Sequence, residues 1–278
     1  MRNMNTSLFK KPIEQLLLPR LEKLPGLAFY GKTRGWSFVM AWIHRIAGIG
    51  LAIYVFIHIY TLSFLSEPQI FDDKMRLFGF FFFYLLEWLL SVPVIIHALN
   101  GGRLILYEIF GARNEAALFR WMFGLCLIYV VLQAVLMVMG NQTVSPIFFW
   151  LVVFILSACL LILATSRIWG IEGAMGWKLQ RITGAFLLMM IPAHMLFMHL
   201  QTSIGHQADV VIARMQTGFI KVIDLVLIVA VLFHAGYGLI SIARDYIESK
   251  FVQSGLSFLI IFILVVFGWI GIRLIFII

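Results

Sequence analysis

Seven apolar runs, each long enough to cross a bilayer, decide what this chain can fold into. They lie near 37–65, 78–110, 118–139, 146–168, 178–201, 218–245 and 254–277. A hydrocarbon core takes about 20 residues of helix to cross. Inside it every backbone N–H and C=O must be paired within the segment, which a helix achieves and a lone strand does not. The chain is 62% hydrophobic and 12% charged, with mean hydropathy +1.00, against roughly 45–50% and 25% in soluble domains. The expected fold class is an all-α integral membrane protein with seven transmembrane helices, in contact with lipid throughout.

The connections alternate in charge. Residues 1–35 are rich in Lys and Arg, and positive charge returns near Arg113 and Arg120, Arg167 and Lys178, and Arg244 and Lys250. The connection after the first run (Glu67, Asp72, Asp73, Lys74, Arg76) is net acidic, and the third, NQTVSP, is uncharged. Positive charge marks the cytoplasmic side. The expected location is a bacterial-type inner membrane, with the N-terminus cytoplasmic and the C-terminus outside. The net charge of +8 reads as this bias and a cytoplasmic partner surface, with no nucleic-acid binding. PIEQLLLPRLEKLPGLAFYGK, before the first span, has leucines at near-helical spacing and reads as an interfacial helix or a docking segment for a soluble partner. No short apolar run with a cleavage site precedes it, so no removable signal peptide is expected.

An internal repeat carries the most information. RIAGIGLAIYVFIH (Arg45 to His58) aligns with RITGAFLLMMIPAH (Arg181 to His194) at one offset of 136. Arginine, isoleucine, glycine, Leu51 with Leu187, and the closing histidine all coincide. HALNGGRLILYE (His97 to Glu108) aligns with HAGYGLISIARD (His234 to Asp245) at an offset of 137, and ten residues before each histidine stands an acid, Glu87 or Asp224. Span five begins an even number of crossings after span one, so both halves run the same way through the membrane. Spans one, two, five and six can then form a bundle with pseudo-twofold symmetry about the membrane normal.

Each of these four helices offers one repeated histidine: His58, His97, His194 and His234. Paired imidazoles on facing helices are the axial ligands of b-type haem, and the chain has no CxxCH for covalent attachment. Cys126 and Cys159 sit in separate apolar runs and indicate neither a disulfide framework nor a zinc site. His97 and His234 lie about 16 Å from the acids at the cytoplasmic ends of their helices, and His58 and His194 about 20 Å beyond Arg45 and Arg181. The reading is two haems: a proximal one on His97 with His234, and a distal one on His58 with His194. Gly101 and Gly238, one turn after their histidines, would let a flat macrocycle approach or serve as small-residue helix contacts. His44 shares a face with His58, and His44 and Arg45 are placed to meet haem propionates or a quinone. Arg103 and Arg181 are candidate propionate partners or snorkelling interface arginines. Glu87 and Asp224 are candidates for a distal quinone site or proton relay, or solvated helix-end residues. His199 and His206 read as weaker candidates, His206 as an exposed loop imidazole.

HRIAG resembles the His-Arg-x-x-Gly signature of the large cytochrome b anchor subunit of succinate dehydrogenase, and HALNGGRLILYEIFG its haem-ligand helix. HAGYGLISIARDY resembles the His-Ala-x-x-Gly…Asp-Tyr helix of the small anchor subunit. The resemblance implies a fused di-haem anchor of a succinate:quinone oxidoreductase or fumarate reductase. A flavoprotein and an iron–sulfur subunit would dock on the cytoplasmic face, with room for a higher oligomer of the complex. Electrons would pass through the haems to a membrane quinone, and Arg45, Asp245 and Tyr246 would form its proximal site. Succinate oxidation itself falls to the partners, since no flavin or iron–sulfur motif is present here. The domain reading is 1–35 as a cytoplasmic amphipathic segment, 36–140 as a large-anchor-like repeat, 141–176 as an extra linking span, and 177–278 as a small-anchor-like repeat. Two departures stand out: Ala41 replaces a serine common before the His-Arg pair, and seven spans exceed the five usual for single-chain di-haem anchors. Menaquinone is the favoured acceptor; with it succinate oxidation is energetically unfavourable, and a membrane potential positive outside would assist outward electron movement by roughly 2.3 kcal/mol per charge per 100 mV. The alternatives are a di-haem cytochrome b of a hydrogenase or formate dehydrogenase, and a parallel-repeat transporter.

Overall fold

The computed structural model describes residues 35–76, 81–139, 146–198 and 206–278. Its elements in order are α1 (Trp36–Leu62), a short 3₁₀ turn (Ser63–Ser66), α2 (Pro68–Arg76), α3 (Phe81–Glu108), α4 (Glu115–Met139), α5 (Pro146–Ile168), α6 (Met175–Met198), α7 (Ala208–Met215), α8 (Gly218–Tyr246) and α9 (Lys250–Ile277). Among the described residues seven helices are long and apolar enough to span a membrane: α1, α3, α4, α5, α6, α8 and α9. The fold is all-helical, as the seven runs require. The N-terminal amphipathic segment, the body of the NQTVSP connection and His199 lie outside the described residues.

Four of the helices close a ring. α1 packs on α3, α3 on α6, α6 on α8, and α8 back on α1. α4 lies outside against α3, α5 against α6 and α8, and α9 against α8 and α1. The outer faces carry large exposed apolar side chains such as Leu127, Ile128, Ile162, Phe258, Phe262 and Trp269, as lipid contact demands. Glycine sets the spacing of α8 and α9: a Cβ at Gly236 would strike Leu264, and one at Gly271 would strike Ile228.

Pro93 lies inside α3 and Pro192 inside α6. A helical proline cannot donate the usual N–H and crowds the carbonyl one turn back. The Tyr129 hydroxyl of α4 donates to the Pro192 carbonyl at 2.8 Å, giving a buried phenol its partner.

The two ends of the bundle differ. At one, the loop end, short connections join α3 to α4, α5 to α6, and α8 to α9; Gly111 there takes a φ of 67°, a conformation glycine adopts freely. At the other, the cap end, α2 and α7 pack together. Leu65, Phe71, Ala208, Val211 and Leu274 form a buried cluster there, and the Ala208 N–H donates to Asp72 Oδ1 at 2.8 Å. These two short helices are an addition to the spans read from hydropathy.

Candidate cofactor cavity and its histidine pairs

A cavity of about 800 Å³ runs between the ring helices and is lined by His44, His58, His97, His194 and His234. His97 faces His234 with ring centroids 6.2 Å apart and planes at 88°. His58 faces His194 at 6.2 Å and 87°. The structure thus brings the four repeated histidines together as two pairs, each drawing one ring from each half of the chain.

The surroundings of the first pair repeat across the halves. His97 Nδ1 lies 3.0 Å from the His44 carbonyl, and a Cβ on Gly48 would stand 2.9 Å from His97 Cε1. The Gln180 carbonyl is the corresponding backbone neighbour of His234, and a Cβ on Gly184 would stand 3.2 Å from His234 Cε1. His44 with Gln180, and Gly48 with Gly184, are positions 136 apart. A carbonyl beside Nδ1 fixes the proton there, so the neutral ring keeps its lone pair on Nε2. Thr183 Oγ1 adds a contact of 3.4 Å to His234 Nδ1.

One difference between the halves lies at position 44. The His44 ring stacks on His97 at 3.9 Å with planes 2° apart, whereas Gln180 stands at the matching place. Among the described residues, neither His44 Nδ1 nor Gln180 Oε1, both buried, has a hydrogen-bond partner. Gly101 and Gly238 line the cavity; a Cβ there would meet His44 Cε1 and Gln180 Nε2 at an ordinary 3.6 Å in each case.

At the loop end two ion pairs cross between the halves. Arg45 donates to Asp245 Oδ2 at 3.2 Å. Arg181 grips Glu108 with two bonds, 2.8 and 3.1 Å. The second pair is the more shielded, with side chains 24% and 33% exposed against 35% and 54%. Tyr246 packs on Trp42 with ring centres 5.2 Å apart and planes tilted by 44°, and the Arg45 guanidinium lies 5.6 Å from the Tyr246 ring centre. Glu108 enters the sequence reading only as a helix-end marker, yet it is the partner of Arg181.

Other candidates are placed elsewhere. Arg103 turns away from the cavity, donating to Asn100 Oδ1 at 2.9 Å and lying over Phe119 of α4. Asp224 lines the cavity toward the cap end, whereas Glu87 stands 3.8 Å from His206 Nε2 outside that lining. His206 is correspondingly half-buried against Glu87 and Tyr84, not the exposed loop imidazole its position in the sequence indicates.

Several lining residues escaped the sequence reading. Trp150 comes from α5, read only as a linking span, and lies 6.0 Å from His194. Tyr54 stacks on His58 at 5.7 Å; its place one turn before His58 was the available signal. Arg214 enters the lining from α7; burial lowers its pKa, and arginine nonetheless stays protonated.

Fold and cavity together define a polytopic helical membrane protein built around an internal, histidine-lined cavity. Comparison with known proteins narrows the class. The family described as succinate dehydrogenase/fumarate reductase transmembrane subunit matches residues 33–138 and 162–272, and the chain belongs to that family. A similar curated protein is the succinate dehydrogenase 2 membrane subunit SdhC of Mycobacterium tuberculosis, 28% identical over 113 residues that cover 40% of this chain and 80% of that protein. No solved structure gives a significant match.

Proposed function

We propose that this chain is the membrane cytochrome b subunit of a succinate:quinone oxidoreductase, conducting electrons from an iron–sulfur partner through two b haems to a membrane quinone. One observation carries the reading: two histidine pairs in one cavity, each with centroids 6.2 Å apart. Two imidazoles on opposite sides of one metal ion, each bonded at about 2 Å, bring their ring centres to about 6 Å. The donor set fits as well, since bis-imidazole ligation is a b-haem arrangement. Family membership supports the complex in which such a subunit would work.

Haem bound there supplies one-electron chemistry. The chain's own residues do the rest. The His44 and Gln180 carbonyls orient His97 and His234, and Gly48 and Gly184 leave those rings room. Arg45, Asp245 and Tyr246 form the proximal quinone region at the loop end, and Asp224 is the candidate for the distal quinone site or proton relay near the cap end. Neither Arg103 nor Glu87 lines the cavity; Arg103 stays a candidate propionate partner, and Glu87, whose charge reaches His58 and Tyr54, a candidate for the distal quinone site or proton relay. The repeats 36–140 and 177–278 are two anchor-like halves joined by 141–176, and 1–35 is the cytoplasmic segment. The loop end faces the cytoplasm, where a flavoprotein and an iron–sulfur subunit dock. Menaquinone is the favoured acceptor, and its energetically unfavourable reduction by succinate would be assisted by outward electron movement toward the positive side of the membrane.

The test is a dithionite-reduced minus oxidised spectrum of the purified full chain, with haem counted per polypeptide. Two b haems are expected, and His97→Ala and His58→Ala each remove a different one. A folded preparation without haem overturns the reading and brings the parallel-repeat transporter forward.

A further inference from the structure

The cap end of the cavity carries a cation that no motif marks. At the loop end the charged lining residues fall into two matched pairs, Arg45 with Asp245 and Arg181 with Glu108. At the cap end the lining includes Asp224 from α8 and Arg214 from α7. The Arg214 guanidinium lies 5.6 Å from the centre of the Phe197 ring. Phe197 follows His194 by three residues on α6, close to one turn, or about 5 Å, further toward the cap. Phe197 also packs on Trp150 at 5.3 Å, and Trp150 in turn faces His194. Arg214 therefore stands one layer beyond the His58–His194 pair, over the same aromatic wall.

The element that carries it is held in place. Asp72 of α2 caps the start of α7 through the Ala208 N–H, and Val211, one turn before Arg214, is buried with Leu65, Phe71 and Leu274. The planar fork of a guanidinium matches a carboxylate with two parallel hydrogen bonds. A planar ligand centred between His58 and His194, with carboxylates on its edge, would bring one of them to this layer.

We propose that Arg214 is the carboxylate anchor of the cap-end site, holding a propionate of the haem that His58 and His194 ligate. The proposal rests on the two-haem reading above. It makes the α2–α7 cap part of the cofactor site and not only a cover.

The experiment compares the full chain in mild detergent as wild type, Arg214→Gln, Arg214→Lys and Arg273→Gln, the last removing an exposed cation near the cap end of α9. Haem per chain and a redox titration are read for each, with the cap-end haem identified as the one that His194→Ala removes. A nearby positive charge favours the reduced haem. Arg214→Gln should therefore lower the midpoint potential or the occupancy of that haem alone; Arg214→Lys should have a smaller effect and Arg273→Gln none. If Arg214→Gln does not fold, the proposal is judged on Arg214→Lys, whose lost fork must shift the same haem. A two-haem protein in which the Arg214 variants leave the cap-end haem unchanged overturns the anchor and leaves the haem reading standing. A wild-type chain with no cap-end haem overturns both.

Discussion

Replacing Gly48 by alanine tests whether the His97 ring is held as tightly as the geometry requires. An added Cβ would lie 2.9 Å from His97 Cε1 and 3.3 Å from Nδ1. Carbon atoms in comfortable contact stand about 3.5–4.0 Å apart, so the ring must retreat by about 0.6–1 Å. It has little room to do so, since its Nδ1 is tied to the His44 carbonyl at 3.0 Å and its face lies on His44 at 3.9 Å. Overpacking of this kind costs about 1–3 kcal/mol, and exchanging glycine for alanine inside a helix returns about 1 kcal/mol. The net loss of stability is therefore about 0–2 kcal/mol. Ligand geometry is the more sensitive quantity, because a productive site tolerates displacements of only about 0.5 Å.

Thermal unfolding in detergent and the haem spectrum should both be followed. Gly48→Ala should perturb the haem assigned to His97 and His234, and Gly184→Ala should do so less, because its Cβ would stand 3.2 Å from His234 Cε1. Gly50→Ala, with nothing within 4 Å of the new atom, is the reference and should be neutral or stabilising. A Gly48→Ala protein that melts and absorbs like Gly50→Ala would refute the reasoning.

Further expectations concern the two ends of the bundle. Glu108→Gln removes the charge from a bidentate, shielded pair and should cost about 1–3 kcal/mol, read as a lower melting temperature. Asp245→Asn, at the more exposed pair, should cost about 0.2–1 kcal/mol, and the reverse order would contradict the shielding seen here. Asp72→Ala removes the side-chain acceptor at the start of α7 and should destabilise the cap locally by about 0.5–2 kcal/mol. Limited proteolysis should then cut faster within 208–215, and an unchanged rate would show that the buried cluster alone holds the cap.

The candidate site was legible in the sequence wherever helical register carries the information. Each repeated histidine sits at a fixed place on a helix long enough to cross the membrane, so two neighbouring offsets, 136 and 137, sufficed to name all four. Register also explains why Arg103 does not line the cavity. It follows His97 by six residues, about 240° round the helix, which turns it toward α4 and Phe119. Register alone does not decide every case, however. Glu87 and Asp224 precede their histidines by the same ten residues, yet only Asp224 lines the cavity; Glu87 is drawn to His206.

By itself the sequence determined that seven helices are long and apolar enough to cross a membrane, and it was enough to expect two parallel halves and a shared pattern of histidines. These follow from local quantities: run length, hydropathy and the periodicity of one helix. Tertiary structure alone decided which charges meet, because Arg45 and Asp245 are 200 residues apart and Arg181 and Glu108 are 73 apart. It also decided that two short cap helices close one end, that the linking span lends Trp150 to the wall, and that Arg214 reaches the cavity. Partner choice of that kind depends on how helices distant in the chain pack round a common space, and no single helix encodes it.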